Sequence, residues 1–163
     1  MSRSGYIDDM DDQWQLIRYR GAVSSALKGS RGQAFLNEML AAMDALPSHE
    51  LVASELEEDG AVCAIGSVGK ARGLNMQDLD PENSNLVASV FGIADALARE
   101  IVFVNDECSL WGETPAQRFD RMRKWIKFEI WNARGCVADP YGTHATRMSK
   151  RLHWNSVIEW NEV

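Results

Sequence analysis

Residues Ala61 to Gly73 read AVCAIGSVGKARG, and the fold turns on how this stretch is taken. It is rich in small residues, holds one cysteine and no acid, and ends in a basic pair split by alanine. As a helix it sets Ala61, Ala64, Ile65, Val68 and Ala71 on adjacent positions, with Gly66 and Gly69 three apart. Such a helix has little side-chain bulk, so neighbouring backbones can come close and larger side chains can pack onto it. An interior glycine costs about 1 kcal/mol against alanine, and the close approach must offset that. Gly73 falls where a left-handed residue ends a helix, with Leu74 as the apolar contact beyond it. The competing reading is a hairpin, Asp59-Gly60 turning between 51–58 and 61–68. Neither arm alternates cleanly, so the helix is the expectation.

On the N-terminal side, 49–58 is expected to be helical too, with Leu51, Val52 and Leu56 inward and Glu55, Glu57 and Glu58 outward. Before it, Phe35, Leu36, Met39, Leu40, Met43 and Leu46 recur at 3–4 spacing, the clearest amphipathic helix of the chain. Ser30 to Gln33 has the spacing of a capping box for it, and Pro47 ends it. A first helix is predicted from near Trp14 to Gly29, with Leu16, Ile17, Tyr19 and Val23 as its apolar or amphipathic positions. On the C-terminal side, Asp80-Pro81 predicts a helix start and Gly92 a break. Ile93, Ala94, Leu97, Ile101 and Val104 then share a face, and the β-branched IVFV that closes this run leaves a strand ending open. Thr114-Pro115-Ala116-Gln117 is a second capping box, followed by Phe119, Met122, Trp125, Ile126, Phe128 and Ile130 on a long amphipathic helix. The expected fold is mainly α: a single compact domain of about six helices, 13–131, around a small-residue central helix. An acidic tail at 1–12 precedes it and an irregular C-terminal extension at 132–163 follows.

The net charge of −7 is unevenly spread. Residues 50–107 sum to −9, whereas 108–163 sum to +3 and 13–49 to +2. An acidic centre argues against a general nucleic-acid binder, whose affinity needs concentrated Lys and Arg. No apolar run is long enough for a membrane span, and no leader segment is indicated. Cys63, Cys108 and Cys136 cannot all pair within the chain, which favours a reducing, cytoplasmic setting.

Several residues invite chemistry. Cys63 would be a nucleophile if a helix N-terminus and a histidine lowered its pKa, but between Val62 and Ala64 it reads first as packing. Asn105, Asp106 and Glu107 would suit a polar pocket or a metal; the plainer reading is a helix end and a turn. Cys136, His144 and His153, with Cys108, are soft enough for zinc but lack the short paired spacing of a zinc site, so no metal or other cofactor is expected. GSVGKARG lacks the spacing of a phosphate loop. Glu55, Glu57, Glu58 and Asp59 would offer an acid pair for hydrolysis, although such runs are usually solvated. The basic-aromatic run RFDRMRKWIKFEIW, 118–131, places Arg118, Arg121 and Lys124 in one arc and Arg123 and Lys127 on another. This surface could meet an acidic protein partner or nucleic acid, the latter disfavoured, or lie against the chain's own acidic 50–107 segment.

CAIG at 63–66, GIADALAREIVFVNDE at 92–107 and TPAQRFDRMRKWI at 114–126 together resemble a family of uncharacterised small bacterial and prophage-associated proteins. The likeness spans about 33–127 and implies a helical domain with no assigned activity. The reading that follows is a non-enzymatic phage or prophage-type accessory protein that binds a protein partner, such as a host factor or a defence system. Its candidate contact residues are Arg118, Arg121, Lys124, Trp131, Arg147, Arg151, Trp154 and Trp160, arginine and tryptophan being enriched at interface hot spots. A virion or assembly component is the alternative, and a small enzyme using Cys63 or the 105–107 cluster the third.

Overall fold

Gly66 and Gly69 decide how the centre of the molecule is built. In the computed structural model, which describes Ser4, residues 13–108 and residues 112–133, the order is α1 (Gln13–Lys28), α2 (Ser30–Asp44), β1 (Glu57–Glu58), β2 (Ala61–Val62), α3 (Ala64–Arg72), α4 (Ser84–Phe91), α5 (Asp95–Val102), a π turn (Phe103–Glu107) and α6 (Pro115–Ala133). Every residue from Val62 to Gly69 is buried, so α3 is the small-residue helix at the centre. A Cβ on Gly66 would overlap the Leu56 carbonyl, and one on Gly69 the sulfur of Met76. These two close approaches answer the intrinsic cost of glycine in a helix. Gly73, at φ 67°, closes α3 as expected: its N–H reaches the Lys70 carbonyl and that of Leu74 the Gly69 carbonyl, at 3.1 and 2.9 Å.

α2 and α5 pack against α3, and α6 packs on α2. Phe35, Leu36, Met39 and Met43 of α2 share one buried cluster with Met122 and Ile126 of α6. Leu97 and Ile101 of α5 complete the interior, and α4 and α1 cover α5. Arg72 ties three elements together, pairing both carboxylate oxygens of Glu38 at 2.7 Å and donating to the Phe91 carbonyl at 3.1 Å.

The structure departs from the sequence reading between 49 and 58. This segment is not a helix but a loop feeding a two-residue antiparallel hairpin, Glu57 opposite Val62 and Glu58 opposite Ala61. Asp59 and Gly60 both have positive φ, 50° and 82°, as a tight hairpin turn requires. His49 and Ser54 are also left-handed, which no helix tolerates. The backbone is satisfied by distant partners instead: Leu51 N–H by the Pro115 carbonyl, Val52 N–H by Val62, and the Leu56 carbonyl by Cys63 N–H. The expected burial survives, with Leu51 and Leu56 inside and the three glutamates exposed. The hairpin and helix readings of 61–73 therefore each hold in part, the hairpin to Val62 and the helix from Ala64.

Three helix boundaries also differ. Ser30 makes no cap; Gly29 precedes α2, and Gln33 turns its amide to the Leu27 and Glu129 carbonyls instead. Asp80-Pro81 forms a turn, Asp80 Oδ1 accepting from Glu82 N–H, and Asn83 caps the later α4. The IVFV run passes into a π turn, not a strand. The Thr114–Gln117 box closes as expected, by reciprocal bonds of 2.8 and 3.2 Å. α6 runs on through Ala133, and the rest of the expected extension lies outside the described residues.

Candidate functional site

The two chemical candidates near the centre, Cys63 and Asn105, are brought together. Cys63 is 3% exposed and caps α3, its Sγ accepting from Gly66 N–H at 3.3 Å. Asn105 sits in the π turn, 2% exposed. Its Oδ1 accepts from Ala64 N–H at 3.3 Å, and its Nδ2 donates to the Val52 carbonyl and to Asp106 at 3.0 and 2.6 Å. One side chain thus joins α3, the 49–56 loop and the end of α5. The crevice beside Cys63, Ile65, Ile101 and Asn105 leaves no room for a water molecule. Glu107 accepts both the N–H and the hydroxyl of Ser4, at 2.9 and 3.0 Å. This arrangement locks elements to one another and leaves the thiol buried.

Arginines from α6 donate to the Val104 and Asn105 carbonyls of the π turn. Arg118 donates to the Asn105 and Leu51 carbonyls at 3.1 and 3.0 Å. Arg121 donates to the Val104 and Asn105 carbonyls and makes a two-point pair with Glu113 at 2.6 and 2.7 Å. The Glu113 side chain is only 7% exposed, and those of Arg118 and Arg121 are 12% and 17% exposed. Both guanidinium groups therefore face the chain's own backbone and one glutamate. Arg123 pairs with Asp44 at 2.6 Å, and the Arg123 guanidinium holds the Asp44 carboxyl below its ordinary range. Lys124 is exposed and Trp131 half-buried, its ring 5.9 Å from that of Phe128. Arg147, Arg151, Trp154 and Trp160 lie outside the described residues, as do Cys136, His144 and His153. Cys108 is described; burial first, and then the glutamates around it, push its thiol up to about 12 against the pull of Arg121. Among the described residues no three acids, histidines or cysteines converge to hold a metal ion. No helix there is long and apolar enough to cross a membrane.

Two surface features remain. A shallow groove of about 260 Å³ runs between Glu55–Glu57 and Met76–Pro81 and is edged by the carboxylates of Glu55, Glu57, Asp78 and Asp80. The second is the outer face of α1. The inner arc of this helix holds Leu16, Tyr19, Val23, Ala26 and Leu27, all buried or half-buried, whereas Trp14, Ile17, Arg18, Gly21, Ser25 and Lys28 share the opposite, exposed arc. Trp14 is 68% exposed and Ile17 51%. Ile17 thus sits away from the core that its hydrophobicity predicted. A Cβ on Gly21 would meet nothing within 4 Å, so no packing among the described residues calls for that glycine. α1 holds three bases and no acid. A smaller apolar pair, Leu86 and Val90, is 40% and 38% exposed on α4.

The chain matches no family model, and neither characterised proteins nor solved structures yield a match to it.

Proposed function

We propose that the protein is a non-enzymatic accessory protein of the phage or prophage kind, and that it acts by binding a protein partner. The observation that supports this best is the outer face of α1. Tryptophan and isoleucine one turn apart in solvent, beside Arg18 and Lys28 and a glycine with open space around it, form an apolar and cationic helix face. Contiguous exposed apolar side chains mark interaction sites, and tryptophan and arginine are the residues on which binding energy concentrates. The absence of any acid on α1 favours a partner whose surface is acidic around an apolar patch. Gly21 and Ser25, one turn apart, would let a partner helix approach closely. Lys124 and Trp131, together with Arg147, Arg151, Trp154 and Trp160, are proposed as further contacts from the C-terminal end. The phage or prophage setting rests on the sequence resemblance alone.

The test is affinity capture from the cells that produce the protein, using the full-length chain and its W14A/I17A and W154A/W160A variants. A defined partner held in stoichiometric amount by the wild-type chain and lost by W14A/I17A, with the thermal midpoint unchanged, is the expected result. Equal capture by all three chains would remove both faces from the account.

A further inference from the structure

Beneath α1 lies the buried carboxylate of Glu100, with the half-buried Glu129 near it. Glu100 of α5 is 3% exposed, and its Oε2 has no hydrogen-bond partner among the described residues. Glu129 of α6 is close enough for the two charges to repel. α1 packs over both helices, and its Arg20 and Lys28 are the cations that act on Glu100 and Glu129 respectively. The other neighbouring elements supply little charge. α2 sends Gln33 to the Glu129 carbonyl at 3.3 Å, while its Glu38 and Asp44 pair with Arg72 and Arg123, and its Arg31 is exposed. Lys70 of α3 is bound to the Gly60 carbonyl, and α4 has no charged residue. The turn after α5 adds the Cys108 thiol, which feels Glu100. Neither α1 cation comes within ion-pair distance of these carboxylates among the described residues.

We propose that Glu100 and Glu129 form a pH-sensitive latch, holding α1 against α5 and α6 while protonated and releasing it when they ionise. An ionised carboxylate in this interface must be rehydrated. The least costly way is to move the covering helix with the fewest buried side chains. That helix is α1, in which only Val23 and Leu27 are fully buried among the side chains described. Burial, and after it repulsion by Glu129, push the Glu100 carboxyl up to about 8 against the pull of Arg20. Burial pushes Glu129 up to about 7 against Lys28. With α1 open, both groups return to the ordinary range near 4.5. The closed form therefore holds protons that the open form releases, and opening becomes more frequent as pH rises. Each group contributes about tenfold per pH unit across its own window, and the effect levels off above the closed-form value. The latch concerns the packing of α1 on its own chain and stands whether or not the outer face binds a partner.

Amide hydrogen exchange on the full-length protein between about pH 5.5 and 7.5 tests this, with rates divided by their intrinsic values at each pH. Protection of the α1 amides should fall at least about tenfold per pH unit. It should also stay insensitive to low urea, as a local opening does, while α2 keeps a distinctly higher protection. In E100Q/E129Q the α1 course should be flat. A flat wild-type course overturns the latch, as does an equal fall in the double variant or loss of α1 protection only together with α2. Should the double variant fail to fold, E100Q alone must still reduce the wild-type slope, and an unchanged slope rejects the proposal.

Discussion

Gly66 and Asn105 show how a residue chosen for its size or its amide can hold a fold. Gly66→Ala drives a methyl group into the Leu56 carbonyl, a backbone atom that cannot swing away. Overpacking of this kind costs about 1–3 kcal/mol, and urea unfolding should show a loss at or above the upper end. Asn105→Ala leaves the Ala64 N–H and the Val52 carbonyl buried without that partner. A loss of about 1–3 kcal/mol per stranded group is expected in the same measurement. Cys63 should resist a thiol reagent in the folded protein and react on unfolding, followed by mass spectrometry of its peptide, because its sulfur is buried and engaged as a cap. The glycines of α3 were legible in the sequence because two of them interrupt an otherwise good small-residue helix. The role of Asn105 was not, since its partners at 52 and 64 lie far along the chain. Glu100 was hidden for a related reason: one acid on an amphipathic helix looks solvated until the helix that covers it is known.

Helices with strong local signals formed where the sequence placed them, and segments that depend on distant partners did not. The amphipathic runs of α2 and α6, the Gly73 and Gly92 stops and the Thr114–Gln117 box are all local devices. Thr114→Ala should cost about 1 kcal/mol, the usual worth of a side-chain N-cap, read as a lower urea midpoint at unchanged slope. Residues 49–58 carry apolar positions that fit a helix, yet they bond to Pro115, Val62 and Cys63 instead. A periodic pattern records which side chains go inside, and here the backbone met that demand in another shape. The π turn gives no sequence sign at all. Only Arg118 and Arg121, whose basic charge suggested an outward face, betray it, because they donate to its carbonyls.

At the scale of the whole molecule, charge and packing set different terms. A buried carboxyl, Glu100, and a half-buried one, Glu129, both with raised values, make the folded state bind more protons than the unfolded chain between about pH 4.5 and 8. Their contribution is most favourable at the acid end of that window and declines as pH rises through it. The thermal midpoint should accordingly fall from pH 5.5 to 8 in the wild-type chain and fall less in E100Q. The acidic middle of the chain is mostly solvated hairpin and connector surface, so the −7 net charge says little about the core. What the packing does leave is one helix with large apolar side chains exposed on its outer arc, Trp14 at 68% and Ile17 at 51%. The central claim, that the α1 surface around Gly21 is left open to a partner by the described residues, is tested most directly by urea unfolding of Gly21→Ala. A glycine held in a helix for no internal reason should yield about 1 kcal/mol of added stability when replaced by alanine. A loss of stability instead would place Gly21 against the chain itself and contradict the claim.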